Sequence, residues 1–213
     1  MADAGVDEVV GRTVLVDTML VAALSRWPGA AVVNLGAGFC TRPYRLDLPG
    51  CREMVEADDP AVVDLKSRIL HDRRPTCPVR RIPLDVRDGT ALDAVLAATG
   101  RTGPVIVVTE GLLVYLPPPA LTALAGTLAA QRTTVHWLAD IVSASSATQM
   151  RDIARRIPGG LALFGLDSLA PLEDPGWQVV AYRALPAAHP RYGTSSRALV
   201  DGVLALDRQQ PTR

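Results

Sequence analysis

The sequence predicts one α/β domain: a mostly parallel, twisted sheet with helices on both faces and an antiparallel edge at its carboxyl-terminal end. Three observations carry this expectation. Short apolar runs alternate with segments of helical periodicity, the first run ends in a glycine turn, and 213 residues with 48% hydrophobic and 21% charged content suit a single core. Strands separated by helices pair in parallel through right-handed crossovers.

Val9 to Leu24 opens as a helix, with Val14, Leu15, Thr18, Leu20, Val21 and Leu24 able to share a broad face. Trp27-Pro28-Gly29 breaks it, and Ala30 to Leu35 reads as a buried strand running into Gly36-Ala37-Gly38. A short helix can begin within Thr41 to Leu48, and Arg52 to Ala57 reads as a second strand. Asp59-Pro60 then supplies an N-cap and a first-turn proline for a helix over Ala61 to His71. Val79 to Leu84 is a weaker strand ending at Asp85, followed by a helix over Ala91 to Ala98 that Gly100 stops. Val105 to Thr109 is the most β-branched run, which predicts a central strand with Glu110-Gly111 at its end. Three prolines precede a helix over Ala120 to Ala130, and Thr133 to Val142 supplies another strand. After an irregular stretch from Ile157 to Pro175, Trp177 to Leu185 and Ala198 to Leu206 can pair as the antiparallel edge. No repeat, low-complexity tract or linker divides the chain, so residues 1–213 form one unit.

Lys+Arg and Asp+Glu are both 22, so the chain lacks the cationic field used to bind a phosphate backbone. Nucleic acid is excluded as an expected partner. Cys40, Cys51 and Cys77 lack metal-type spacing, which predicts no metal site, and no signal peptide or long apolar span is visible. The expected compartment is a reducing cytoplasm, with no membrane partner.

Ligands of open parallel sheets gather at the carboxyl ends of the strands, where strand order reverses. Gly36 and Gly38 permit a tight turn and a close backbone approach there. A structural turn and a dinucleotide site are the rival readings. The third glycine of the dinucleotide fingerprint would fall at Thr41, which speaks against a nicotinamide enzyme. Glu56 lies at the right distance to accept ribose hydroxyls of either kind of nucleoside, or it is a solvated carboxylate.

Five blocks then occur in order: R-T-x-x-x-D at Arg12 to Asp17, V-V-N-L-G-A-G-F-C-T-R-P-Y-R-L at Val32 to Leu46, E-A-D-D-P-A-V-V-D-L-K at Glu56 to Lys66, P-L-D at Pro83 to Asp85, and T-E-G-L-L-V-Y-L-P at Thr109 to Pro117. Together they resemble the leucine carboxyl methyltransferase family, with a looser echo in Gly176-Trp177 and Arg191-Tyr192-Gly193. The resemblance implies a Rossmann-like class I methyltransferase domain that uses S-adenosyl-L-methionine. It further implies O-methylation of a small natural-product acceptor, a polyketide-like carboxylic acid, since an acid ionised at neutral pH needs orientation more than a base. A nicotinamide oxidoreductase and a non-catalytic S-adenosylmethionine-binding protein are the alternatives.

By resemblance, Arg12 takes the methionyl carboxylate, Gly36 and Gly38 border the methionyl and ribose parts, and Glu56 takes the ribose hydroxyls. Asp85 and the backbone of Val86 meet the adenine, and Glu110 faces the methionyl amine. Asp85 can instead cap the following helix or shape its turn. Tyr115 projects toward the acceptor or packs in the core, and alternation puts His136, Leu138 and Asp140 on one strand face. His136 and Asp140 are therefore acceptor-side candidates or satisfied buried groups.

Two departures stand out. The family usually has Asp where Cys40 stands, so a capping bond weakens or moves to Thr41. Members also carry more helices before the R-T-x-x-x-D block, whereas eleven residues precede Arg12 here. The acceptor pocket is then open, built by Ile157 to Pro175, or completed by a second subunit, and the last option predicts a homodimer.

Overall fold

A computed structural model describes residues 2–155, 161–185 and 199–209, with side chains from Val9 onward. The strands are β1 (Ala31–Leu35), β2 (Met54–Asp58), β3 (Val79–Pro83), β4 (Val105–Thr109), β5 (Thr134–Ile141), β6 (Trp177–Ala184) and β7 (Gly202–Arg208). They form one sheet in the order β3-β2-β1-β4-β5-β7-β6. The first five strands pair in parallel, and β7 runs antiparallel between β5 and β6. The expected edge hairpin is present, but its second strand, not its first, joins β5.

The helices are α1 (Ala2–Arg26), α2 (Arg42–Arg45), α3 (Pro60–Ile69), α4 (Gly89–Gly100), α5 (Pro118–Ala130), α6 (Ala144–Ala154) and α7 (Ala170–Glu173). Asp59 caps α3, accepting from Ala61 N–H at 2.8 Å with Pro60 in the first turn, as the sequence predicts. On one sheet face α1 packs Val16, Leu20, Ala23 and Leu24 against Val32, Met54, Ile106 and Leu138. That stripe differs from the expected face: Val14 and Thr18 are exposed, because the i, i+4, i+7, i+8 set begins at Val16. On the other face α4 and α5 bury Leu92, Leu96, Leu121, Leu124 and Leu128 against Val33, Val107 and Trp137. Helices thus cover both faces.

The stretch expected to be irregular is partly ordered. Within it lies α7, and Phe164 N–H and Leu166 N–H donate to the carbonyls of Val114 and Val142; before it, Ser143 caps the unforeseen α6. Leu163 is buried against Val114 and Ala154, so this part of the segment lies on its own domain, while Leu161 is 50% exposed. Residues 156–160 and the Arg191-Tyr192-Gly193 echo lie outside the described residues. No helix among the described residues is long and apolar enough to cross a membrane.

Candidate cofactor site

Strand order reverses at β1, between β2 and β4, which places the ligand crevice at the carboxyl ends of β1 and β4. On the face packed by α1, strand positions that are apolar at mid-strand become polar as the strands end. Val32 gives way to Asn34, Met54 to Glu56 and Asp58, Ile106 and Val108 to Glu110, and Leu138 to Asp140. An open cavity of about 810 Å³ lies over these ends, walled by Val9, Arg12 and Thr13 of α1, the glycine turn, and Glu110.

The turn has the geometry the close approach requires. Gly36 has φ +63° and Gly38 has φ +44°, values that side chains other than glycine rarely adopt. A Cβ on Gly38 would meet nothing within 4 Å, so its missing side chain leaves room in the cavity. Gly38 N–H donates to Asp58 Oδ2 at 2.6 Å, which fixes the turn to the end of β2.

Beneath the turn is a charged network. Arg42, 2% exposed, donates through Nε to Asp17 Oδ1 at 2.6 Å, through Nη1 to Cys40 Sγ at 3.3 Å, and through Nη2 to Glu110 Oε2. The other Glu110 oxygen accepts from Thr13 Oγ1 at 2.7 Å and Arg12 Nε at 3.3 Å. Arg12 Nη1 lies 3.2 Å from Asp140 Oδ2, while Asp140 Oδ1 accepts from Gly111 N–H at 2.7 Å. Burial alone would raise the Glu110 carboxyl, but Arg42, helped by Thr13 and Arg12, holds it below its ordinary value. Burial dominates at Asp140 and raises its carboxyl despite Arg12 and the Gly111 N–H.

Arg12, Gly36, Gly38 and Glu110 are therefore brought together as expected. Arg42 and Asn34 were not singled out by sequence reasoning. Asn34 is 3% exposed and lines the cavity, and its Nδ2 has no partner among the described residues. Such a buried amide group is costly unless a ligand satisfies it. Its signal was available, as a polar residue inside the apolar run A-V-V-N-L. The cavity thus offers an arginine already oriented by two carboxylates, an anion, an orphaned amide and an open glycine turn. This donor set fits a zwitterionic amino-acid group joined to a nucleoside.

Glu56 is placed differently from the expectation. It is 1% exposed, with Lys66 Nζ at 2.8 Å on one oxygen and Arg81 Nε at 2.9 Å on the other, so neither faces a ribose. Asp58, two residues on and on the same face, is the carboxylate at the glycine turn. Asp85 is an exposed turn residue: it accepts from Arg87 N–H at 2.9 Å and pairs with its guanidinium, which brings its carboxyl down to about 2. Asp88, not Asp85, caps α4. Val86 packs half-buried against the α4 side of the core. Neither residue is among those lining the cavity.

On the acceptor side, Tyr115 is 48% exposed in a 3₁₀ turn at Leu113–Tyr115, and its hydroxyl has no partner among the described residues. His136 shares a face with Asp140, as alternation requires, yet lies at the other end of β5, about 13 Å away along the strand. Its Nδ1 is 2.7 Å from Asp207 and its ring stacks on Trp27, and burial lowers its pKa. His136 is thus not an acceptor-side group. The capping bond did not move to Thr41, whose side chain makes none; Cys40 instead accepts from Arg42.

Residues 2–129 match the leucine carboxyl methyltransferase family. A relative from Mycolicibacterium smegmatis, named as a candidate S-adenosyl-L-methionine-dependent methyltransferase, is 37% identical over 119 residues, 55% of this chain and 39% of its own. One from Mycolicibacterium gilvum with the same kind of name is 32% identical over 164 residues, covering 73% and 54%. The chain thus spans about half the length of such relatives. Magnesium protoporphyrin IX methyltransferase from Synechocystis, solved with S-adenosylhomocysteine, superposes with TM-score 0.60 at 16% identity, over 94% of this chain and 84% of that one. Mitomycin 7-O-methyltransferase gives TM-score 0.59 at 18% identity, over 93% and 55%. At these identities the two structures show the shared class I methyltransferase fold.

Proposed function

The chain belongs to the leucine carboxyl methyltransferase family, and from that premise we propose that it binds S-adenosylmethionine in the cavity over β1 and β4 and methylates an oxygen of a small carboxylic acid. The observation that carries the reading is the pairing of Arg12 and Glu110 beside the glycine turn. A methionyl group brings one carboxylate and one ammonium; the charged residues of the cavity lining are Glu110 with Arg12, Arg42 and Arg45, and since Arg42 and Arg45 are both engaged by Asp17, Arg12 and Glu110 are the pair we assign to them. The Arg12 guanidinium, steadied by Glu110 and Asp140, keeps donors for a charge-assisted pair with the carboxylate. Glu110 receives the ammonium, Asn34 donates or accepts at the same end, and Asp58 takes the ribose hydroxyls beside Gly38. When bound, this cofactor supplies a methyl group made electrophilic by a sulfonium.

The chain's own task is then to align the acceptor and keep water out, which is worth on the order of 7–11 kcal/mol in well-oriented reactions. A carboxylate acceptor fits what surrounds the cavity. A phenol or alcohol would need a base, yet His136 lies at the far end of β5 and Asp140 is committed to Arg12 and Gly111. Phe39, 58% exposed in the cavity wall, and Tyr115 offer aromatic surface for an apolar, polyketide-like acceptor body.

S-adenosylhomocysteine at 100 times its Kd should stabilise the chain by about 2.7 kcal/mol, because it binds only the folded state. Thermal denaturation with S-adenosylhomocysteine or NAD tests this; a shift with NAD alone would sink the reading. Turnover of radiolabelled cofactor with aliphatic and aromatic acids tests the acceptor class, and binding without any turnover would favour a non-catalytic binding protein. Asp140 is assigned a positioning role through Arg12. Asp140→Asn should weaken S-adenosylhomocysteine about tenfold by calorimetry, near the value of one charge-assisted hydrogen bond. Unchanged affinity would remove Asp140 from the donor side.

A further inference from the structure

At the opposite end of the sheet from the glycine turn, α1 ends, β5 begins and β7 ends around an open cleft of about 930 Å³. Its wall carries Arg26 and Trp27 at the end of α1, Arg132 and Val135 at the entry to β5, and Asp207 and Arg208 at the end of β7. Three arginines, from the end of α1, the turn before β5 and the end of β7, therefore line one cleft with a single carboxylate among its lining residues. That carboxylate is already shared, with Arg26 Nη1 at 2.8 Å and His136 Nδ1 at 2.7 Å. Arg132 and Arg208 have no acidic partner among the described residues. Three cations less one anion leave two positive charges, in a chain whose formal net charge is zero.

The cleft is also partly rigid. The Arg26 guanidinium lies 4.2 Å over the Trp27 ring, and the His136 ring packs 4.6 Å from the same indole, so stacking holds Arg26 in place before any ligand arrives. Like charges gathered without counter-charge repel, and a dianion between them relieves that repulsion. Guanidinium forks match the paired oxygens of phosphate in two parallel hydrogen bonds.

We propose that this cleft is a second ligand site, for a compact dianion of the phosphate class held by Arg26, Arg132 and Arg208. The shared chemistry is a doubly charged phosphoryl group, either inorganic or carried on an organic ester. Because the cleft lies at the amino end of β5 and the cofactor cavity over the carboxyl ends of β1 and β4, both can be filled at once.

Tryptophan fluorescence reports on this site directly. Trp137 and Trp177 are fully buried, and Trp27 is the half-buried indole in the cleft wall. Inorganic phosphate and phenyl phosphate are titrated into the full chain at fixed ionic strength, with Trp27→Phe as the control that locates the signal. The expected result is a saturating change that Arg132→Glu/Arg208→Glu weakens by about tenfold or more, while S-adenosylhomocysteine binding is unchanged. Arg132 is exposed and Arg208 half-buried, and neither has an acidic partner among the described residues, so the double variant should fold. Tighter inorganic phosphate would mark an inorganic phosphate site, and tighter phenyl phosphate an organic ester whose ring meets Trp27. The proposal is overturned if neither probe saturates, if the double variant binds as the wild type does, or if sodium chloride at matched ionic strength gives the same change.

Discussion

An Arg42→Met chain is expected to be about 3–5 kcal/mol less stable than the wild type at neutral pH, the usual cost of removing one partner of a buried ion pair. Methionine keeps the apolar volume of the stem but leaves Asp17 with Arg45, and Glu110 with Thr13 and Arg12. The loss should depend on pH in a defined direction. In the wild type the Glu110 carboxyl sits below its ordinary value, so its contribution is present above the unfolded pKa of about 4.3 and fades as pH falls through the folded value. In the variant, burial acts on Glu110 without its largest counter-charge and pushes the carboxyl upward instead. The stability gap is therefore widest near pH 7 and narrows on acidification. Adding Glu110→Gln to Arg42→Met should recover part of the loss. Urea unfolding at several pH values tests all three statements, and equal stability at pH 7 would show that Arg42 is a spectator.

Nothing local in the sequence announces this arginine. Its partners lie 25 and 68 residues away, and only the crossovers that bring α1 and β4 over the glycine turn assemble the group. The sheet itself was legible for the opposite reason. Buried parallel strands are contiguous apolar runs, and Ala31 to Leu35 and Val105 to Thr109 are such runs, each directly followed by the polar or glycine residues of the site. The cap of α3 was legible because Asp59-Pro60 acts within one turn. Helix α6 was not, because Ala144 to Ala154 is mostly small and polar and its buried residues are only Ala147 and Ala154.

Alternation also reaches only so far. It correctly places His136 and Asp140 on one face, but period two says nothing about height along a strand of eight residues. One of the pair reaches the cofactor cavity's Arg12, and the other reaches Trp27 and Asp207 at the far end. The same limit explains the acid at the end of β2. Glu56 and Asp58 share a face, and their spacing from the glycine turn is compatible with either touching a ribose. What separates them is Lys66, ten residues on in α3, and Arg81, from the neighbouring strand.

Glu56 and Asp58 should consequently give opposite results when each is replaced by alanine. Glu56→Ala leaves the buried Lys66 ammonium without its counter-charge, beside an Arg81 guanidinium that keeps only the Tyr44 hydroxyl at 2.6 Å. An uncompensated buried charge of this kind costs about 3–5 kcal/mol of folding stability. Any loss of cofactor affinity should follow only from the fraction unfolded. Asp58→Ala removes the acceptor for Gly38 N–H, at the cavity, and for the exposed Asp59 N–H, both of which can turn to water. Its cost to folding should be about 1–2 kcal/mol, the net value of two hydrogen bonds whose donors can reach water. If Asp58 takes the ribose hydroxyls, its loss should weaken S-adenosylhomocysteine by about 1.5–3 kcal/mol, roughly ten- to hundredfold. Urea unfolding and titration calorimetry on both variants give four numbers that must cross in this way. A Glu56→Ala chain as stable as the wild type but poor at binding, with Asp58→Ala binding normally, would return the ribose to Glu56.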